Sequence, residues 1–304
     1  MNGSPIVERT ALYSGHRGAV HTVVGTTHPN HFLSAGADGR VVRWDSRTPE
    51  AGEVIADALK GIYSLHLDTR LNLLFIGNEA GGLHVIGLAE KEELRLLHAH
   101  RRGIFTILPL GADRLVCSGG DGCLTIWRIP GMELERTIPL SDMKLRGMAV
   151  DPTGTSMAIA GSDGTIRVLD TVDLNERFTL NGHERGAASV AWHPTKPVLL
   201  SGGRDGQLRF WHTEQDMAPV HVVPAHRANI YAIVFSADGS VCGTASRDKT
   251  LKFWRASDLE LLGRADLKNG GHTHSVNALL PCADGTWLSA SDDKTVRGWR
   301  CASS

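Results

Sequence analysis

Residues 226–254, HRANIYAIVFSADGSVCGTASRDKTLKFW, hold three apolar runs of strand character: Ile230–Phe235, Val241–Ala245 and Thr250–Trp254. Two polar breaks divide them, Ser236–Ser240 with an Asp-Gly pair and Ser246–Lys249. Alternating and β-branched runs bounded by turn formers predict a three-stranded meander. Its strands are apolar or small on both faces, as in a sheet packed on two sides. Four polar residues stand apart from that pattern: His226, Thr244, Asp248 and Trp254.

The same pattern returns along the whole chain. The Trp254 position recurs as Trp44, Ile86, Trp127, Leu169, Trp211, Trp254 and Trp299, at spacings of 42, 41, 42, 42, 43 and 45 residues. Six residues before each stand Asp38, Ala80, Asp121, Asp163, Asp205, Asp248 and Asp293. Upstream of that acid lie His16, His100, His183, His226 and His272, with Ala58 and Met143 read into the two departing repeats. Ten residues before the tryptophan column come Ser34, Cys117, Ser201, Thr244 and Ser289. A fixed period of this length, with four strands per unit, predicts radial stacking.

The repeats resemble the WD40 family. Gly15-His16, Gly182-His183, Gly271-His272, the Asp-containing turns and Trp44-Asp45 carry the resemblance. The acid after the tryptophan column survives only at Asp45 and, after Leu169, at Asp170; elsewhere Arg128, His212, Arg255 or Arg300 follows. The resemblance implies an all-β, seven-bladed β-propeller of four-stranded antiparallel blades, one domain over residues 1–304. It also implies hydrogen-bonded tetrads inside the blades: His16/Ser34/Asp38/Trp44, His183/Ser201/Asp205/Trp211, His226/Thr244/Asp248/Trp254 and His272/Ser289/Asp293/Trp299. A buried indole or imidazole needs a partner, and a linked chain satisfies all its members together. Blade three offers His100, Asp121 and Trp127 with Cys117 in the hydroxyl place. Blades two and four are expected to rely on apolar contacts. Ser-His-Asp groupings in four blades read as structure, since a nucleophile is needed once.

Ring closure follows from strand counting. Six outer strands lie between repeats, near Glu53–Ala56, Leu94–Leu97, Leu134–Ile138, Arg177–Leu180, Val220–Val223 and Leu259–Ala265. The seventh must be residues 5–13, pairing with the inner strands in 272–301 and leaving no open ring edge.

Composition narrows the function classes. Of 304 residues, 41% are hydrophobic and 21% charged, ordinary for a soluble globular chain. The net charge of −1 argues against a polyanion binder as a whole. No apolar run reaches spanning length and no basic-then-apolar leader opens the chain, so neither membrane nor secretion is expected. Five cysteines without a Cys-x-x-Cys fit free thiols in the cytoplasm. Motifs for nucleotide binding, metalloprotease or serine-hydrolase chemistry do not occur, and the histidines do not converge as metal ligands, so no cofactor or metal is expected.

Function is therefore expected on a face. Family geometry puts the residue five after the histidine column at the top pore mouth: His21, Tyr63, Phe105, Met148, Ala188, Tyr231 and Asn277. Residues before the Asp column share that face and include Arg204, Arg247 and Asp292. The loops after the histidine column add Arg17, Arg101, Arg102, Lys144, Arg146, Arg185 and Arg227, opposed by Glu79, Asp142 and Glu184. Loops of the other face are acidic, with Glu90, Glu92, Glu93, Glu133, Glu135, Asp173, Glu176, Glu214, Asp216, Asp258 and Glu260. The candidate partner site is His21, Tyr63, Phe105, Arg146, Met148, Arg204, Arg227, Tyr231, Arg247 and Asp292. It suits a monomeric scaffold for a protein or peptide, with charge favouring an acidic one. Nucleic acid is disfavoured because the cations are not interleaved with a stacking groove. The alternative is an enzyme or small-anion binder using the mouth around His21, Tyr63, Tyr231, Arg204 and Arg247.

Overall fold

The computed structural model describes residues 7–301. They form seven antiparallel sheets of four strands each. The opening stretch supplies the inner three strands of blade six, Ile230–Phe235, Val241–Ser246 and Leu251–Arg255, and Leu261–Ala265 is its outer strand. The innermost strands touch in a cycle. Val20–Gly25 of blade one meets both Ile62–Asp68 of blade two and Val276–Pro281 of blade seven, which closes the ring.

The last sheet joins the two ends of the chain. Val7–Ser14 pairs with Thr295–Cys301 in antiparallel register from Val7↔Cys301 to Ser14↔Thr295. The expected strand over 5–13 thus runs to Ser14, and residues 5 and 6 lie outside the described ones. Among the described residues blade seven has no other fourth strand, so Val7–Ser14 completes the last sheet.

Apolar side chains on both faces of each sheet build seven clusters, one between each pair of neighbouring blades. Leu33, Ile62, Leu74 and Ile76 join blades one and two. Tyr13, Phe32, Trp44, Leu288 and Val296 fill the closing interface, where Tyr13 packs edge-on against Phe32 and Trp44 at 4.8 and 5.7 Å. Each such side chain contributes about 1.5–3 kcal/mol by leaving water, so blades cohere through their neighbours. Gly122 shows how tightly a turn meets the next loop. Its φ is 82°, and an added Cβ would lie 1.7 Å from the Ser141 carbonyl oxygen.

One irregularity positions the residues of the pore mouth. Every innermost strand slips register near its start, between Val20 and Thr22, Ile62 and Ser64, Ile104 and Thr106, Ala187 and Ser189, Ile230 and Ala232, and Val276 and Ala278. In blade four the break spans Leu145 to Met148. A bulge leaves a residue outside the ladder and re-aims its side chain.

Deleting residues 1–14 uncovers the last sheet and the closing cluster. Loss of Tyr13 burial alone costs about 3 kcal/mol, so Tm should fall by roughly 5 °C or more. An unchanged Tm in calorimetry contradicts this closure.

Candidate functional site

Four blades carry the same buried relay. In blade one the Trp44 indole N–H donates to Ser34 Oγ at 2.8 Å, Ser34 lies 2.8 Å from His16 Nε2, and His16 Nδ1 lies 2.9 Å from Asp38. Blade five repeats it through Trp211, Ser201, His183 and Asp205 at 2.9, 2.9 and 3.1 Å. Trp254, Thr244, His226 and Asp248 span 2.9, 2.8 and 3.0 Å in blade six, and Trp299, Ser289, His272 and Asp293 span 2.8 Å at each step in blade seven. A neutral imidazole protonated at Nδ1 satisfies every member: Nδ1–H donates to the carboxylate and Nε2 accepts from the hydroxyl. The hydroxyls of Ser34, Ser201, Thr244 and Ser289 belong to residues with no exposed surface, so no substrate reaches them.

Three blades depart from the expected arrangement. In blade three the hydroxyl comes from Thr125, not from the Cys117 position: Trp127 donates to Thr125 Oγ1 at 3.0 Å, and Thr125 lies 3.1 Å from His100 Nε2. Thr125 is the cross-strand neighbour of Cys117, so the relay shifts by one strand. Blade two has a polar chain of its own. Asn78 contacts His84 Nε2 at 2.9 Å, and His84 Nδ1 meets Glu93 at 2.6 Å. Asn78 Oδ1 also accepts from the N–H groups of Ala80 and Gly82, replacing the missing turn aspartate. In blade four Ser141, not Met143, occupies the histidine place and donates to Asp163 at 2.7 Å. Arg167 adds an ion pair to the same carboxylate at 2.9 Å.

The relays set the top loops. Besides its histidine, the relay carboxylate accepts the N–H of the following loop residue: Asp38 from Arg17, Asp121 from Arg101, Asp248 from Arg227, at 2.9, 2.8 and 3.0 Å. Burial alone would raise the Asp248 pKa. The hydrogen bonds from His226, Thr250 and the Arg227 N–H outweigh it and hold the carboxyl well below its usual range. Burial pushes His100, His226 and His272 down, against the opposing pull of their carboxylates.

The bulge residues converge on the pore mouth, a cavity of about 310 Å³ lined by His21, Tyr63, Phe105, Arg146, Ala188, Tyr231 and Asn277, together with Lys144 and Asp292. Around one side they stack in sequence. His21 tilts against Tyr63 at 5.2 Å, and Tyr63 lies parallel to Phe105 at 5.2 Å and 6°. The Arg146 guanidinium covers Phe105 at 4.9 Å and Lys144 Nζ approaches the same ring at 5.8 Å. On the other side of His21, Asn277 of blade seven donates to Asp292 at 2.8 Å and to the Val20 carbonyl at 2.9 Å.

Met148 is not part of this mouth. It is 6% exposed and packs with Leu110, Leu145 and Leu169 between blades three and four. With Ser141 in the histidine place, the residue five further on is Arg146, whereas counting from Met143 leads two residues too far. The 22-residue spacing from Ser141 to Asp163 was the signal for the correct alignment. Thr125 had no such signal, because residues two before the tryptophan column include Val42, His84, Arg167 and Lys252.

Arg17, Arg101, Arg102, Arg185, Arg204, Arg227 and Arg247 are exposed, while Lys144 and Arg146 are half-buried. None of them has a carboxylate within 4.0 Å among the described residues. Several cations of the opposite face are paired: Arg47 with Asp45 at 2.6 Å, Arg70 with Asp68 at 2.9 Å, Arg255 with Asp258 at 3.0 Å, and Arg177 with Asp170; Lys196 of that face has no such partner among the described residues. Arg227 and Arg247 lie on the blade-six loops and are not among the residues that line the mouth.

The sequence pattern of the WD domain, G-beta repeat matches residues 7–45, 133–170, 174–212, 217–255 and 266–300. Similar proteins include WD repeat-containing protein 90 of Xenopus tropicalis, 26% identical over 65% of this chain and 12% of that protein. Striatin of Mus musculus is 27% identical over 51% of this chain and 22% of its own length. Transducin beta-like protein 3 of Bos taurus is 31% identical over 51% and 20%. The chain thus spans a minor part of these relatives.

Thr125→Val strands the buried donor of Trp127 and the acceptor of His100, and should cost about 2–4 kcal/mol in urea unfolding. Cys117→Ala should cost less, and the reverse order contradicts the shifted relay. Stability should also fall with acid in two stages. Histidines held below 6.5 when folded take up protons on unfolding, so stability is lost as pH drops from 6.5. Carboxylates held below 3.8 extend the loss below that pH. Urea midpoints that are flat from pH 7 to pH 5, a window bracketing the ordinary histidine pKa of about 6.5, contradict the first stage.

Proposed function

The chain belongs to the WD domain, G-beta repeat family, and we propose that it binds an acidic protein or peptide segment across the pore-mouth face. The observation that carries this reading is the contrast in pairing between faces. Among the described residues Arg17, Arg101, Arg102, Lys144, Arg146, Arg185, Arg204, Arg227 and Arg247 lack carboxylate partners, whereas several cations of the opposite face, Arg47, Arg70 and Arg255 among them, have them. Unpaired charge of one sign on one face steers an oppositely charged partner toward it and sets its orientation. The Tyr63–Phe105 stack supplies what charge does not. Half-exposed aromatic rings, held rigid by their neighbours, are the usual centres of binding energy in an interface.

The relays support this reading by holding the loops in place, since an ordered loop loses less entropy on binding. We assign the chain no catalytic role. Its Ser-His-Asp groupings bind one another and a tryptophan, and their hydroxyls are closed to solvent. The chain is read as a single propeller unit acting as a monomer. Cys117, Cys123, Cys242, Cys282 and Cys301 are free thiols, which fits a reducing compartment such as the cytoplasm. Among the described residues no helix is long and apolar enough to cross a membrane.

Arg204→Glu with Arg247→Glu alters two exposed residues and should leave Tm unchanged. Fluorescence anisotropy with a degenerate Asp/Glu-rich peptide library should show about tenfold weaker binding at low salt, converging with wild type as salt rises. Equal binding at every salt concentration rules the reading out.

A further inference from the structure

One sector of the mouth is more specialised than a generally acidic segment requires. Arg146 leaves the ladder at the bulge of blade four, lies over Phe105, and keeps its Nε buried with no acceptor among the described residues. Lys144 approaches the same ring, and Arg102 lies beside Gly120 next to Phe105. Burial lowers the affinity of both Lys144 and Arg146 for their protons, and the charge of Arg204 adds to it in the same direction. Of the acids near the mouth, Asp292 accepts from Asn277, and Glu79 lies toward Tyr63, with no ion pair to Lys144 or Arg146 among the described residues.

A buried N–H without an acceptor is costly, and so are like charges gathered around one ring. Both costs fall when an anion of high charge density enters. A carboxylate brings one charge and two oxygens. A phosphate monoester brings about −1.5 to −2 and three strong acceptors, and it matches the planar fork of arginine in a bidentate contact. We propose that Phe105, Lys144, Arg146 and Arg204, with Arg102 at the edge, form a subsite for a phosphorylated side chain of a protein partner. This rests on the reading of the mouth as a protein-binding face and names the group that the face selects. The aromatic ring holds Arg146 in place without hydrogen bonds, which leaves the guanidinium edge for the ligand.

The test uses the full chain and degenerate peptide libraries fixed at the centre with phosphoserine, glutamate or serine. Anisotropy should show the phosphoserine library binding roughly tenfold tighter than the glutamate library, with inorganic phosphate competing. Arg146→Lys keeps the charge but loses the fork, and should abolish the preference with Tm unchanged. Should that variant lose stability, the exposed Arg204→Ala replaces it, with the same loss expected. Equal binding of phosphoserine and glutamate libraries, or a preference that survives both variants, overturns the subsite and leaves the acidic-partner reading standing. No distinction among the three libraries overturns both. Binding of phosphoinositide vesicles without binding of phosphopeptide assigns the cluster to a lipid headgroup and overturns the proposal.

Discussion

The relay carboxylate is the contact on which this molecule depends. In blade six Asp248 accepts from His226 inside the blade and from the Arg227 N–H at the surface. One side chain thereby joins the buried chain of Trp254, Thr244 and His226 to a loop that carries a cation. Desolvation makes this chain all-or-none. Removing one member leaves buried donors or acceptors unpaired, at about 1–3 kcal/mol each. The repeated unit is conserved within the chain for its polar connectivity as much as for its apolar surface.

The departures show that connectivity matters more than residue identity. Blade three moves its hydroxyl to Thr125 across the strand pair, yet indole, hydroxyl, imidazole and carboxylate remain linked. Blade two lacks both the histidine and the turn aspartate of the columns, and Asn78, His84 and Glu93 form a different chain. Apolar packing between neighbours tolerates these exchanges because each blade leans on two others. The mouth, by contrast, is not repeated: His21, Tyr63, Phe105, Arg146, Ala188, Tyr231 and Asn277 hold one structural position with different chemistry. A ring of equivalent backbone sites thus carries an asymmetric surface, basic and aromatic on one side and amide and carboxylate on the other.

Period, strand number and closure by the N-terminal strand were legible because they rest on columns that recur at one spacing. The four full relays were legible for the same reason. What the columns could not reveal was substitution by a spatial neighbour. Thr125 faces Cys117 across a strand pair, and Asn78 reaches Ala80 and Gly82 from outside the Asp column. Counting from Met143 misplaced the mouth by two residues, because blade four has no histidine to anchor it, and so Met148 was expected where Arg146 stands. The pairing state of the cations was invisible in sequence, since it depends on which loops meet at which face.

The account turns on a single face doing the binding. Hydrogen–deuterium exchange of the full chain with and without poly-glutamate reads that directly. Protection should appear in the loops and bulges around residues 17–21, 101–105, 144–146 and 227–231, with the loops around 90–93, 133–135 and 258–260 unchanged. Protection confined to those opposite loops, or spread evenly over both faces, contradicts the account.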